Sequence, residues 1–200
     1  MAQALEKPRS SDDKVAVYYD RTWDQFKHIQ KGLEGHPGVR LSFYEGVIEV
    51  FIKAQPHEIF KKVIAALLEA FFFERNIKII PTVSVTQEQA GVASVQADES
   101  YCFGEAKPIP DLSIEVIFTS GSAIKLKRYQ ALSVPEVWLW EDGLLTLHHL
   151  ANDGYTRIYR SRIPELANLD IELFSRCVLI GETDWLSAMR TFKTEISIGE

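Results

Sequence analysis

Asp111 and Glu115, four positions apart in a run that reads as a strand, are the pair in this 200-residue chain best spaced to do chemistry. In Asp111-Leu112-Ser113-Ile114-Glu115-Val116-Ile117-Phe118, strand alternation turns Asp111, Ser113 and Glu115 to one face and Leu112, Ile114 and Val116 to the other. Apolar residues continue directly past Glu115, which predicts a strand covered on much of its surface, where a lone carboxylate is poorly solvated. A cation resolves that conflict. Paired hard oxygen ligands favour Mg2+ or Mn2+ over zinc, and magnesium needs only one or two protein carboxylates beside water and phosphate. Spacing alone leaves a plainer alternative open: an edge strand in which Asp111 caps a turn and Glu115 sits in a salt bridge.

Other groups extend the pattern. Asp98, within Ala97-Asp98-Glu99-Ser100-Tyr101, follows the preceding β-rich stretch and is either a third carboxylate or an ordinary strand-end aspartate. Lys125 lies ten residues past Glu115 and four before Tyr129 at the start of a predicted helix. A lysine beside a carboxylate–metal site can orient water or offset charge on a phosphate; the bland reading is a solvated helix face shared with Lys127 and Arg128. His57 falls at a helix start just after the strand that carries Glu49, where it could bind metal, move a proton or serve as a polar cap. His148 and His149 read as structural, and His28 and His36 as exposed. Neither G-x-x-x-x-G-K-[ST] nor G-x-G-x-x-G occurs, which removes the usual signs of nucleotide binding. G-x-S-x-G is also absent, and Cys102 and Cys177 have no C-x-x-C spacing.

These residues need elements to position them. Thr22 caps a helix carrying Trp23, Phe26, Ile29 and Leu33, which Gly35, Pro37 and Gly38 end. Arg40–Tyr44 and Val47–Ile52 flank Glu45-Gly46 as a hairpin, placing Glu49 on a strand. The clearest helix is Pro56–Arg75, with apolar residues at three- and four-residue steps from Ile59 to Phe72. Strands are predicted at Lys78–Ile80, Thr82–Thr86, Val95–Phe103 and Asp111–Phe118, then a helix from about Ala123 to Leu132. Val137–Glu141, Leu144–Leu150 and Tyr155–Ser161 form a meander around Asp142-Gly143, and a last helix covers roughly Thr183–Phe192. Residues 1–14 read as a flexible arm and 15–200 as a single domain of mixed α/β (α+β) class.

Composition sets outer bounds. Hydrophobic residues make up 46% and charged residues 25%, the usual globular mix. The longest apolar stretch, Val63–Phe73, is broken by Glu69 and falls short of the roughly 18 residues of a membrane span. With no secretory leader pattern, a cytoplasmic location away from membranes is the expectation. A net charge of −6 disfavours a surface that coats duplex DNA. From Ile163 onward seven acids stand against three bases, so −4 of that total lies there and −2 in residues 1–162.

In its motifs the chain resembles the Uma family of restriction-endonuclease-like proteins, within the PD-(D/E)XK nuclease superfamily. The resemblance runs from about Thr22 to Phe192. It rests on Arg40–Val50, Pro56-His57-Glu58, Ala97–Tyr101, Pro110–Val116, Lys125–Tyr129, Ser133–Trp138 and Ser161–Pro164, in that order. It implies a restriction-endonuclease-like αβββαβ core with an added N-terminal β-hairpin and C-terminal β-meander. It also implies that Asp98, Asp111 and Glu115 hold a divalent metal, Mg2+ or Mn2+, with Glu49 and His57 on the pocket rim. Ile117 stands two residues after Glu115, so the usual (D/E)-x-K triplet is broken and Lys125 on the next helix takes the lysine's part. Ala97 stands where proline often precedes the aspartate, and Ser133 where glycine is frequent. Neither change removes a ligand.

The resulting expectation is a metal-dependent endonuclease acting on DNA, with Asp98, Asp111, Glu115 and Lys125 catalytic, and a homodimer as the assembly. Two alternatives stand beside it: a catalytically silent homodimer that keeps the fold and uses exposed aromatics such as Trp138, Trp140 or Tyr155, and an RNA-directed nuclease.

Overall fold

The structure is a computed structural model and describes residues 14–36, 38–52, 55–82, 86–118 and 122–198. In chain order the elements are β1 (Lys14–Tyr18), α1 (Trp23–Gly32), β2 (Val39–Tyr44), β3 (Val47–Ile52), α2 (Gln55–Glu74), β4 (Ile79–Pro81), β5 (Gln87–Gln89), β6 (Ala93–Val95) and β7 (Glu99–Phe103). There follow β8 (Leu112–Ile117), α3 (Ser122–Ala131), β9 (Glu136–Glu141), β10 (Leu144–Ala151), β11 (Gly154–Ile158), a 3-10 turn at Pro164–Leu166, α4 (Ile171–Thr183) and α5 (Trp185–Ile198). The strands form two sheets among the described residues, ordered β1-β3-β2-β6-β5 and β11-β10-β9-β8-β7-β4. No described helix is long and apolar enough to cross a membrane.

The second sheet contains the expected core. After α2, strands β4, β7 and β8 pair antiparallel in turn; α3 then carries the chain over so that β9 lies parallel to β8. A parallel neighbour requires such a crossover, and the ten-residue α3 supplies it. The alternation predicted for β8 is present. Leu112, Ile114 and Val116 enter the main core with Phe60, Ile64, Leu67, Leu68 and Phe71 of α2, Trp138 and Trp140 of β9, and Phe174 and Phe192 of the last two helices. On the other face Ser113 meets Gln87 of β5, whose Nε2 donates to Ser113 Oγ at 3.0 Å and so joins the two sheets. Ile117 joins a second cluster with Val95, Tyr129 and Leu139.

The ends of α1 follow from its sequence: Thr22 and Gln25 form a reciprocal capping box, and Phe26 is buried against Phe43. At Gly181, α4 approaches α2 so closely that an added Cβ would stand 2.5 Å from Val63 Cγ1.

The structure corrects several expectations. The run Val95–Phe103 is not one strand: it divides into β6 of the first sheet and β7 of the second, with Asp98 in the break. The predicted final helix is α5, and an unpredicted helix, α4, precedes it; the two are separated at Asp184, whose side chain accepts the Ser187 N–H and starts the second. Gln87–Gln89, too polar to read as a strand, pairs with β6. Trp138 and Trp140 are core residues rather than exposed aromatics, and the phenol of the part-buried Tyr155 donates to Val134 O at 2.6 Å. Lys14 begins a strand; the remainder of the N-terminal arm, Pro37, and residues 83–85 of the Thr82–Thr86 strand lie outside the described residues.

Candidate active site

Glu115 leaves β8 on the face turned from α2 toward the first sheet and is buried. Helix α3 meets it there. Lys125 Nζ donates to Glu115 Oε2 at 2.7 Å, and the phenol of Tyr129, one helical turn later, donates to Oε1. Burial draws the Lys125 ammonium down, but the carboxylates of Glu115, Asp98 and Glu49 outweigh it and hold its pKa above the ordinary lysine value. Burial and the same Glu115 carboxylate raise the Tyr129 phenol well above its usual range. Tyr129 therefore remains a hydrogen-bond donor, and Lys125 remains a cation.

Asp98 reaches the same place from the break between the sheets. Its N–H donates to Ile114 O at 3.0 Å, and its Oδ2 accepts the Val116 N–H at 2.8 Å. The aspartate is thus fixed to the backbone on both sides of Glu115. His57 Nε2 lies 3.2 Å from the same Oδ2. This histidine is fully buried in the first turn of α2, with its ring beside Phe51 and Phe118. Its place is behind Asp98 and not on the rim.

Glu49 of β3 does line the pocket, together with Arg40, Gln96, Asp98, Glu115, Lys125 and Arg128. It is held by Arg128 of α3 through a two-pronged pair, Nη2 to Oε2 at 2.8 Å and Nη1 to Oε1 at 3.3 Å. Burial pushes the Glu49 carboxyl up, but Arg128 and then Lys125 outweigh it, leaving its pKa below the usual value. Arg128 was expected on a solvated helix face and is instead buried. The signal was available: residues 125, 128 and 129 share one helical face.

Asp111 is not brought to this pocket. It precedes the first residue of β8, and four strand residues span about 13 Å. Its carboxylate accepts the Phe103 N–H at 2.8 Å and both contacts of Lys107 Nζ at 2.7 and 2.8 Å, closing the Lys107-Pro108-Ile109-Pro110 loop. It lines a separate cavity with Glu136, His149 and Arg162. The turn-capping alternative describes its geometry.

Among the described residues no group of three His, Cys, Asp or Glu side chains is gathered at metal-ligand spacing. The buried carboxylates that face the pocket are Asp98 and Glu115, with Lys125 beside Glu115, Glu49 taken up by Arg128, and Arg40 on the wall. That set fits a hard cation completing its shell with water and phosphate, and it lacks the nitrogen and sulfur ligands of a structural zinc site.

The αβββαβ core formed by α2, β4, β7, β8, α3 and β9 is the arrangement expected of the restriction-endonuclease type. Residues 23–173 match the Uma2 family, described as "Putative restriction endonuclease", and the chain belongs to that family. Its fold is similar to the crystal structure of a protein from Anabaena variabilis described as a "putative nuclease belonging to DUF820", with a TM-score of 0.56 and 13% identity, covering 78% of this chain and 98% of the other. No curated protein matches.

Proposed function

We propose that the protein is a Mg2+-dependent endonuclease that hydrolyses DNA phosphodiester bonds in the cytoplasm, with Asp98 and Glu115 as metal ligands and Lys125 as the migrated lysine. The observation that carries this reading is the 2.7 Å contact of Lys125 Nζ with Glu115 Oε2 in the pocket that Asp98 also lines. The position two residues after Glu115 belongs to Ile117, whose side chain is core. A lysine there would bury its charge in the apolar cluster of Val95, Tyr129 and Leu139, so a cation delivered from α3 is the physically sensible replacement.

A divalent ion held by the two acids would supply a water of lowered pKa and a Lewis-acid contact to the phosphate. Lys125 orients the attacking water and offsets charge that develops on the scissile phosphate. Tyr129 fixes one oxygen of Glu115 so that the other faces the pocket, and the Val116 N–H does the same for Asp98. Arg128 keeps Glu49 ionised on the pocket wall.

The test is incubation of purified protein with linear and supercoiled DNA, and with matched RNA, in Mg2+ and in Mn2+. Cleavage that disappears in Glu115→Gln is expected. No cleavage of any substrate, or cleavage unaffected by that change, overturns the reading.

A second reading, a catalytically silent homodimer, draws on β1. Among the described residues this strand ends its sheet, and all five of its residues are exposed, the kind of edge at which another chain can pair. Sedimentation alongside the cleavage assay separates the two: a dimer without activity favours the second.

A further inference from the structure

Arg40 occupies a place that the proposed metal chemistry does not use. It lines the Asp98–Glu115 pocket on one side, and on the other it lines a cleft of about 890 Å3 between α1 and β2. That volume lies within the roughly 300–1,000 Å3 of small-ligand sites. Its Nη1 donates to Ala97 O at 2.8 Å, the carbonyl just before Asp98. A guanidinium has five N–H donors, so this bond fixes the group and leaves its fork able to take a phosphate.

The cleft beyond Arg40 is not a basic track. Lys27 is paired with Glu88 at 3.2 Å, and Glu34 adds a further acid. The walls instead carry groups that hydrogen-bond in both senses: Gln30, Gln96, Thr86 and the exposed His36. The Gln96 amide is oriented by donating Nε2 to Thr86 Oγ1 at 2.9 Å. Binding a duplex by its phosphates needs many cations. An amide-rich cleft behind one arginine suits an unpaired nucleotide, whose base edges are free to be hydrogen-bonded.

From this, and resting on the nuclease reading above, we infer that Arg40 grips the phosphate next to the scissile one and passes the strand into the α1–β2 cleft, which holds the flanking nucleotide unpaired. The preferred substrate is therefore single-stranded nucleic acid or the unpaired end of a junction.

The test is fluorescence anisotropy with a labelled oligodeoxynucleotide, offered as a single strand and as a duplex, with Ca2+ present to limit turnover. Wild type is expected to bind the single strand more tightly. Arg40→Ala should weaken that binding about tenfold and reduce the slope of log affinity against log salt by about 0.7. Arg40→Lys should keep the salt slope. Gln30→Trp, which fills the cleft without touching Arg40's bond to Ala97, should weaken the single strand and spare the duplex. Melting temperatures of the variants, with the exposed Lys62→Ala as control, separate a folding defect from a binding one. Equal affinity for both substrates, an unchanged salt slope in Arg40→Ala, or no effect of Gln30→Trp overturns the inference, even where the wild type cleaves DNA. Arg40-dependent single-strand binding by a protein that never cleaves upholds it and overturns the nuclease reading instead.

Discussion

Asp98 Oδ2 accepts the main-chain N–H of Val116 at 2.8 Å, so the backbone next to Glu115 fixes the second acid of the pocket. A cation placed between two such acids binds the folded chain alone, since unfolding separates them. At ten times its Kd, Mg2+ should stabilise by about 1.4 kcal/mol and raise the melting temperature by about 3–6 °C. Differential scanning fluorimetry of wild type and Glu115→Gln measures this directly. A melt that does not respond to millimolar Mg2+ would count against the site.

Lys125 and Glu115 depend on each other. Lys125→Met leaves Glu115 buried without its cation and should cost about 3 kcal/mol of stability, while cleavage falls about 100- to 1,000-fold. The double variant Lys125→Met, Glu115→Gln should recover much of the stability and none of the activity. Urea denaturation of all four proteins gives the coupling between the two sites. Additive losses in stability would show that the pair does not interact as described.

Asp111 offers the opposite prediction. Asp111→Asn keeps the shape but weakens its bonds to the Phe103 N–H and Lys107, and should lower stability by about 1–2 kcal/mol with cleavage unchanged. Activity loss beyond that explained by unfolding would return Asp111 to the catalytic set.

Ser133 has φ +58°, in the left-handed region where a side chain is strained. Ser133→Gly should stabilise the protein by about 1 kcal/mol, visible as a melting temperature about 2–4 °C higher. A lower melting temperature would mean that the Ser133 side chain contributes more than its backbone strain costs.

His148 stands across from Arg157 in the β10–β11 ladder, and burial, then that charge, lowers its pKa from 6.5. The unfolded chain therefore binds more protons than the folded one between the two pKa values, and stability rises with pH there. The contribution is present above about pH 6.5 and is lost as pH falls through the folded value. Melting temperature measured from pH 5 to 7 should have a flatter profile in His148→Gln than in wild type.

Much of this architecture was legible from periodicity. The three- and four-residue steps of α2 and the alternation of β8 are direct consequences of what those elements bury. Asp111 shows where that reasoning ends: alternation assigns a face, but not how far along the strand a partner lies or which loop closes over it. Asp98 could be read as a strand residue because β-prone residues stand at both ends of Val95–Phe103, but Ala97, Asp98 and Glu99 are poor strand formers, and the sheet pairing divides the run there. Helix α4 was hidden for a different reason. Its residues Leu173, Phe174, Cys177 and Val178 are buried against other helices, and the apolar Leu179 and Ile180 beside them blur the amphipathic stripe. Arg128 was the cost of treating a cluster of cations as one solvated group.

The bond between Gln87 and Ser113 has a mechanical consequence. Glu49 and Arg40 belong to one sheet, Glu115 to the other, and among the described residues that seam is crossed by this amide–hydroxyl pair, the Arg128 clamp on Glu49 and the apolar contacts of Val95 with the Ile117–Leu139 cluster. The pocket is therefore a joint between two slabs rather than a cup carved in one. A slip of about 1 Å between them suffices to cost about a hundredfold in rate while leaving the main core under α2 intact. On warming, catalysis should fade before the chain unfolds, and Gln87→Ala should widen that gap.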